Sequence, residues 1–145
     1  MMDIKIFEPN TKDELEKYYD LRWKILRSPL NQPRGTEKDE KEATAFHAAA
    51  LIEGEIVGVG RLHLNSEKEA QLRYMAVEEK YRGKGIGTLI IKELEKRAKE
   101  KGAEYIVLDA RENAVEFYKF NDYKILEKSY LLFDSIQHWK MRKTI

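Results

Sequence analysis

The stretch Tyr81-Arg-Gly-Lys-Gly-Ile-Gly-Thr88 places three alternating glycines and two basic residues between an extended segment and an amphipathic helix. Glycines at such a turn let several backbone N–H groups approach one ligand. The first N–H groups of a helix lack partners within the helix and carry partial positive charge. The turn therefore suits a phosphate or pyrophosphate, to which Arg82 and Lys84 would add full positive charges. The alternative is a purely structural turn or close packing of the helix.

The spacing within this turn excludes one phosphate-binding motif and weakens another. A Walker P-loop needs Gly-Lys-Ser/Thr, whereas Lys84 is followed by Gly85. A dinucleotide-binding Gly-x-Gly-x-x-Gly that starts at Gly83 would need glycine where Thr88 stands, although Asp109 lies at a suitable distance for its acidic residue. A nucleotide-binding βαβ protein therefore stays open as an alternative.

The residues after the turn predict a helix and then a buried strand. Basic residues crowd the last helical turns, and Gly102 provides a left-handed end. Residues 105–108 are a short apolar run, and the strand-helix-strand order favours a right-handed crossover between parallel strands. The predicted apolar face of the helix consists of Ile86, Leu89, Ile90, Leu94 and Ala98.

The C-terminal part predicts a short helix and a β-hairpin. Asn113, with Glu116 three residues later, is a candidate helix cap. Residues 123–131 and 136–142 predict the two strands of the hairpin. The predicted apolar residues of the short helix are Val115, Phe117, Tyr118 and Phe120.

The segment before the glycine turn, residues 69–77, predicts a strand whose alternation changes phase. Leu72 and Tyr74 are assigned to one face, whereas the next apolar pair, Met75 and Val77, points to the other. A β-bulge near Met75 explains this shift, and a strand buried on both faces explains it equally well.

The first half of the chain predicts further elements of a mixed α/β (α+β) domain. Ile4 and Ile6 suggest a short strand, residues 28–42 a surface loop with one helical turn, and residues 45–52 and 55–64 a β-hairpin. Thr11-Lys-Asp-Glu14 is a capping box, and the apolar residues of the helix that it opens are Leu15, Tyr18, Tyr19, Trp23 and Leu26.

Length and composition indicate one folded domain spanning residues 1–145. A chain of 145 residues with 42% hydrophobic residues can bury a single core, so the 37% charged fraction describes a solvated surface. Lys and Arg number 27 against 26 Asp and Glu, which argues against a nucleic-acid binder. The absence of cysteine excludes a disulfide framework and thiolate zinc sites, and we expect no metal.

The location expected from the sequence is cytoplasmic. No apolar run is long enough to cross a bilayer, so we expect no membrane partner. Residues 1–8 lack the extended apolar stretch of a signal peptide. We expect a monomer or a homodimer.

Arg82-Gly-Lys-Gly-Ile-Gly87 resembles the Arg/Gln-x-x-Gly-x-Gly/Ala signature of the GNAT family of N-acetyltransferases. The resemblance extends through residues 72–77, residues 110–118 and the terminal His138-x-x-Met141, so it covers the second half of the chain. It points to small bacterial and archaeal members of undefined substrate. It implies the GNAT-like acyl-CoA N-acyltransferase fold, with a mixed central sheet flanked by helices, and acetyl-CoA as the acyl donor.

The resemblance also implies roles for particular residues. The strand before the turn would bind the pantetheine arm through its backbone, and an N–H near Val77 would polarise the thioester carbonyl. Tyr118 matches the tyrosine that protonates the departing CoA thiolate, although a core aromatic on an amphipathic helix is the plain alternative. The implied cofactor-binding residues are Met75, Ala76, Val77, Arg82, Gly83, Lys84, Gly85, Gly87 and Thr88.

Two positions depart from the family pattern. Arg111 stands where members often have asparagine, and Gln71 stands where histone-type members have a glutamate base. Because glutamine cannot accept a proton, another group or a water chain would take the proton from the attacking amine. The candidate bases, each of which also has an ordinary structural explanation, are His63, Glu69, Asp109 and His138.

The expected function is an N-acetyltransferase that moves an acetyl group from acetyl-CoA to a primary amine, either a small molecule, a peptide N-terminus or a lysine. A non-catalytic CoA-binding sensor is the alternative, which Gln71 favours and Tyr118 opposes. The acidic stretch 37–42 would either attract a cationic amine or form solvated surface.

Overall fold

The computed structural model describes residues 3–145, so Met1 and Met2 of the segment examined for a signal peptide lie outside the described residues. The helices are α1 (Lys12–Leu26), α2 (Ile86–Glu100) and α3 (Val115–Phe120). The strands are β1 (Lys5–Phe7), β2 (Phe46–Ile52), β3 (Glu55–Leu64), β4 (Glu69–Val77), β5 (Tyr105–Arg111), β6 (Lys124–Leu132) and β7 (Ile136–Thr144).

All seven strands belong to one mixed sheet in the order β1-β2-β3-β4-β5-β7-β6. The β4–β5 pair is parallel and every other neighbouring pair is antiparallel. Because α2 connects β4 to β5, the predicted crossover between parallel strands is confirmed. No helix within residues 3–145 has the length and apolar character needed to span a membrane.

Helix α1 begins at the predicted capping box. The Glu14 N–H donates to Thr11 Oγ1 at 3.1 Å, and the Thr11 N–H donates to Glu14 Oε1 at 3.2 Å. The helix covers one face of the sheet, where Tyr18 and Leu26 are buried as predicted. Trp23 is only half-buried, whereas the charged side chain of Arg22 is fully buried.

Helix α2 covers the opposite face, and the prediction for its apolar face needs one correction. Leu89 is 40% exposed, and Ile91 is buried in its place. The helix lies close to β3 because Gly60 has no side chain: a Cβ there would come within 2.7 Å of Ile90 Cγ2. Burying such an isoleucine contributes about 1.5–3 kcal/mol relative to leaving it exposed.

Helix α3 contains the four predicted apolar residues but lacks the predicted cap. A 3₁₀ turn, Glu112–Ala114, precedes it, and Ala114 occupies the N-cap with no side-chain cap bond in the described chain. Asn113 therefore lies within the preceding turn. Phe120 is 79% exposed, because a helix of six residues buries only one side, here through Val115 and Tyr118.

Strand β4 contains a β-bulge, which was one of the two explanations for the change of phase in its sequence pattern. Arg73 pairs with Arg61 and Ala76 with Val59, so the two residues between them, Tyr74 and Met75, lie opposite Gly60 alone, and Tyr74 has a φ of +58°. The predicted faces were wrong for this strand. Leu72 packs with Met75 and Val77 in the core beneath α2, while Tyr74 packs in the core beneath α1. The extra residue changes the phase one position earlier than predicted.

Strands β4 and β5 part after a short stretch of pairing. Glu69 pairs with Tyr105 and Gln71 with Val107, and no later pair joins the two strands among residues 3–145. Strand β5 continues against β7 as far as the pair Arg111–His138. The sheet is therefore open in its middle, beside the C-terminal half of β4.

Candidate active site

A cavity of about 250 Å³ occupies the opening between β4 and β5. Its walls come from the end of α1, both parted strands, α3 and the β6–β7 hairpin. A polar extension shares Gln71 and Asp109 with it and is also lined by Glu69, Glu127 and Lys140. Such an opening exposes strand backbone and side chains from several elements to one small ligand.

The glycine turn lies at the N-terminus of α2, after the end of β4. Gly83 and Gly85 have φ values of +76° and +81°, which are costly for residues with a side chain. Open space lies where their Cβ atoms would be. Gly85 is the N-cap of α2, and no side chain within residues 3–145 caps the helix, so its first N–H groups are available to an anion.

The basic residues of the turn and Thr88 surround this helix start. Arg82 and Lys84 are exposed, and Arg82 Nε donates to the Val77 carbonyl at 3.0 Å, which ties the turn to the end of β4. Thr88 is half-buried in the first turn of α2. The positive side chains and the helix N-terminus together favour a negatively charged ligand.

Gly87 has a packing role. A Cβ at Gly87 would lie 2.7 Å from Phe117 Cζ, so only glycine fits this contact between α2 and α3. Close packing, the structural alternative for the turn, therefore explains this one position.

Tyr118 lines the cavity from α3. Its ring is 8% exposed and packs edge-on against Phe117 and Tyr123, with centroids 5.1 and 6.0 Å away. Burial raises the pKa of the Tyr118 phenol, and the nearby charge of Arg111 lowers it in part. The phenol is therefore protonated at neutral pH and has a proton to donate. The ring is also a core aromatic, as the alternative reading expected.

The proposed backbone contacts lie on the last part of β4. Met75 lines the cavity, while Ala76 and Val77 pair with β3 on the side away from the opening. Because β5 has already diverged, the other side of this backbone is unpaired by any strand of the described chain. Backbone N–H and C=O groups in that position can bind an extended ligand as a neighbouring strand would.

Two arginines line the cavity side by side. Arg27 Nη1 and Arg111 Nη2 both donate to the Leu26 carbonyl, at 3.1 and 2.8 Å. Arg27 Nε also donates to the Thr36 carbonyl at 2.9 Å. Burial lowers the pKa of both guanidinium groups, and each lies close enough to another arginine for its charge to lower the pKa further. No local sequence pattern marks Arg27 as a site residue, and Arg111 stands out in the sequence only as a departure from the family pattern.

Of the four candidate bases, Asp109 and His138 line the cavity. Asp109 accepts a hydrogen bond from Ser129 Oγ at 2.7 Å. His138 stacks on Tyr130, with centroids 4.4 Å apart, and its Nδ1 donates to the Ile136 carbonyl at 3.0 Å. Burial lowers the pKa of His138, so the ring is neutral near pH 7 and its Nε2 can accept a proton.

The other two candidates lie apart from the cavity. His63 is buried on β3, and its Nδ1 lies 3.1 Å from Arg61 Nη2. Burial, together with the charge of Arg61, lowers the pKa of His63 to about 4. Glu69 lines the polar extension and accepts from Asn65 Nδ2 at 2.7 Å. The same amide donates to Gln71 Oε1 at 2.9 Å, so Gln71 is held as an acceptor.

A second group of buried arginines lies beneath α1; we call it the arginine–carboxylate network. Arg61 Nη1 donates to Asp39 Oδ1 at 2.6 Å and to Glu42 Oε2 at 2.7 Å. Arg22 Nη1 donates to the same Glu42 oxygen at 2.9 Å, and Arg73 Nη1 donates to Asp39 Oδ2 at 2.8 Å. Arg22 and Arg61 are fully buried, so the carboxylates neutralise charges within the fold.

This network corrects both readings of the acidic stretch 37–42. Asp39 and Glu42 bind buried arginines, and none of these six residues lines the cavity. Burial would raise the pKa of Asp39, but hydrogen bonds from Arg61 and the Lys41 backbone, with the charges of Arg61 and Arg73, lower it to about 2. One sequence signal for the network exists: Arg22 stands four residues after Tyr18 and four before Leu26 on the apolar face of α1.

Comparison with known proteins shows the family of this chain. The profile of the Acetyltransferase (GNAT) family matches residues 13–123. The chain is 30% identical over 140 residues to YjcF of Bacillus subtilis strain 168, an uncharacterised N-acetyltransferase, and the match covers 97% of this chain and 99% of YjcF. The chain therefore belongs to the GNAT family of acetyltransferases.

Solved structures have the same fold. An acetyltransferase of the GNAT family from Staphylococcus aureus Mu50 superposes with a TM-score of 0.81 at 18% identity, covering 98% of this chain and 99% of that one. An aminoglycoside 6′-N-acetyltransferase complexed with coenzyme A superposes with a TM-score of 0.80 at 21% identity, covering 99% and 97%. The predicted GNAT-like fold with a mixed central sheet is confirmed.

Proposed function

We propose that this protein transfers the acetyl group of acetyl-CoA to a primary amine by direct attack in a ternary complex. The observation that carries the proposal is the divergence of β4 from β5 after Gln71 and Val107. The divergence leaves a cavity lined by Tyr118, and the glycine turn follows the same strand. Membership of the GNAT family supports the reaction class.

The residues of the opening and of the turn fit acetyl-CoA. The edge of the Met75, Ala76 and Val77 backbone that faces away from β3 would bind the pantetheine arm as an added strand. The turn and the helix start would bind the pyrophosphate through the N–H groups of Gly83, Lys84, Gly85, Gly87 and Thr88, with Arg82 adding positive charge. Bound there, acetyl-CoA supplies an activated acyl carbon as a thioester.

The chain's own groups would then assist the transfer. An N–H near Val77 would stabilise negative charge on the carbonyl oxygen, which is typically worth about 3 kcal/mol. The amine nitrogen bonds to the acetyl carbon, the carbon–sulfur bond breaks, and Tyr118 gives its proton to the sulfur. General acid assistance of this kind is commonly worth about 10² to 10⁴ in rate.

The proton lost by the amine needs an acceptor in the cavity. His138 fits this role because its Nδ1 is committed to the Ile136 carbonyl, which leaves the Nε2 lone pair of the neutral ring available. Asp109 is the carboxylate in the same wall.

A CoA-binding sensor without turnover is the second candidate function. The observation in its favour is Gln71, whose amide cannot act as a base and is held by Asn65. A screen of small amines, peptide N-termini and lysine peptides with acetyl-CoA, followed by release of free thiol, separates the two. CoA binding without product from any acceptor would support the sensor.

The substitution Tyr118→Phe tests the chemical role directly. We expect kcat to fall by about 10² or more, because the proton donor is lost, while KM for acetyl-CoA changes much less. Tyr123→Phe is the matched control: Tyr123 belongs to the same aromatic cluster, but its hydroxyl donates to Glu95 and it does not line the cavity. Unchanged turnover of Tyr118→Phe would reject the acid role.

A further inference from the structure

The cavity has an excess of positive charge. Its charged lining residues are Arg27, Arg73 and Arg111 against the single carboxylate of Asp109. Arg73 pairs with Asp39, which also accepts from Arg61, and Asp109 accepts from Ser129. Within residues 3–145, neither Arg27 nor Arg111 forms an ion pair, so the excess belongs to these two side chains.

The fold holds these two cations close together. Their nitrogens bond to one oxygen, that of Leu26, so they lie no farther apart than the two bond lengths, 3.1 and 2.8 Å, placed end to end. The oxygen belongs to the C-terminal end of α1 and carries only partial negative charge. The carbonyls of Leu26 and Thr36 carry only partial negative charges, which do not compensate the full charges of the buried Arg27 and the half-buried Arg111.

The pair also has donors to spare. A guanidinium has five N–H donors. Arg27 uses its Nε and Nη1 within the protein, and Arg111 uses only Nη2. The other N–H groups have no acceptor among the described residues, although Arg27 as a whole is only 5% exposed. A carboxylate or phosphate accepts such donors in pairs with good geometry.

We propose that Arg27 and Arg111 bind an oxyanion carried by the acceptor, so the substrate of this enzyme is a small amine that also bears a carboxylate or a phosphate. This inference rests on the proposed function. The pair lines the same cavity as Tyr118 and lies apart from the turn that would bind the donor diphosphate, because none of residues 82–88 lines the cavity. The acceptor would share this cavity of about 250 Å³ with the end of the pantetheine arm, so a small molecule or a short terminus fits it best.

The test compares acceptors that differ only in the anion. The carboxylate series consists of ω-amino acids of increasing chain length, each compared with the amide of its carboxyl group. Because that group is distant from the amine, the acid and its amide have amines of nearly the same basicity. The phosphate series consists of aminoalkyl phosphates and the matching aminoalcohols. We expect kcat/KM to be at least about tenfold higher for one anionic series than for its neutral partners, because charged hydrogen bonds to both arginines are lost in the latter.

Arg111→Gln should bring this ratio toward 1, mainly by raising KM for the anionic acceptor, and Arg111→Lys should retain part of it. Arg142→Gln is the control, because Arg142 is exposed on β7, away from the cavity, and should preserve the ratio. Equal kcat/KM for charged and neutral acceptors in the parent protein would overturn the inference. An equal loss of kcat/KM for charged and neutral acceptors in Arg111→Gln would also overturn it. Arg111 would then act on Tyr118 or on the acyl donor and not on the acceptor.

Calorimetric binding of the same acids in the presence of CoA gives a readout without turnover. If the parent protein binds these acids and Arg111→Gln does not, the anion site is supported even when no acetyl transfer is detected. In that case only the proposed function fails. Transfer to neutral amines only would leave the proposed function intact and overturn the anion site. Neither binding nor transfer would overturn both.

Discussion

Buried and half-buried arginines occur in two regions of this molecule under opposite conditions. Beneath α1, Arg22 and Arg61 face the carboxylates of Asp39 and Glu42 at hydrogen-bond distance. In the cavity, Arg27 and Arg111 share the Leu26 carbonyl, Arg27 also donates to the Thr36 carbonyl, and no carboxylate of the described residues pairs with either. The same side chain thus stabilises the fold where carboxylates accompany it, and is available to a ligand where they do not.

The largest effect is expected from removing the negative charges of the arginine–carboxylate network. Asp39→Asn with Glu42→Gln leaves Arg22 and Arg61 buried without compensation, and we expect the free energy of unfolding in urea to fall by about 3–5 kcal/mol. The control is a double variant of exposed carboxylates that pair with lysines, Asp13→Asn with Glu104→Gln, which should lose no more than about 1 kcal/mol. Equal losses in the two would contradict the distinction.

A smaller effect should appear in the pH dependence of stability. The pKa of Asp39 in the folded protein is about 2, below the value of about 3.9 in an unfolded chain. Its contribution is therefore complete above about pH 5 and is lost progressively as the pH falls through the unfolded and then the folded pKa, by about 2 kcal/mol in all. The difference in unfolding free energy between the parent and Asp39→Asn should shrink over this acid range. A constant difference would disprove the role of this ionisation.

The smallest effect is expected in the cavity. Arg111→Gln removes a cation that burial disfavours and one hydrogen bond to Leu26, so we expect the free energy of unfolding to stay within about 1 kcal/mol of the parent. The same substitution at Arg61 should cost about 3–5 kcal/mol. A loss of that size at position 111 would mean that the two regions do not differ in kind.

Local patterns predicted most of the fold. The capping box at Thr11, the glycine turn, the order of the elements and the bulge in β4 were readable because each depends on neighbouring residues. The errors have a common origin in packing between distant elements. The exposure of Leu89 depends on how α2 lies across the sheet, and the faces of Leu72 and Tyr74 depend on which residue of the bulge is extra.

The candidate site was predictable only in part. Tyr118 and the glycine turn stand within a continuous motif, so the family resemblance located them. Arg27 lies 84 positions before Arg111, and only the Leu26 carbonyl brings the two together. The role of the acidic stretch 37–42 was not predictable for the same reason. Its partner Arg61 lies on β3, and the residues on either side of Arg61 in the sequence are uncharged.

The divergence of β4 from β5 divides the sheet into two leaves, one of four strands and one of three. A seam of three residue pairs, Glu69–Tyr105 to Gln71–Val107, is the strand pairing that joins them. Three residue pairs resist bending less than a ladder along the whole of both strands would. The angle between the leaves sets the width of the opening between β4 and β5. A molecule bound between the leaves would therefore contact strands of both.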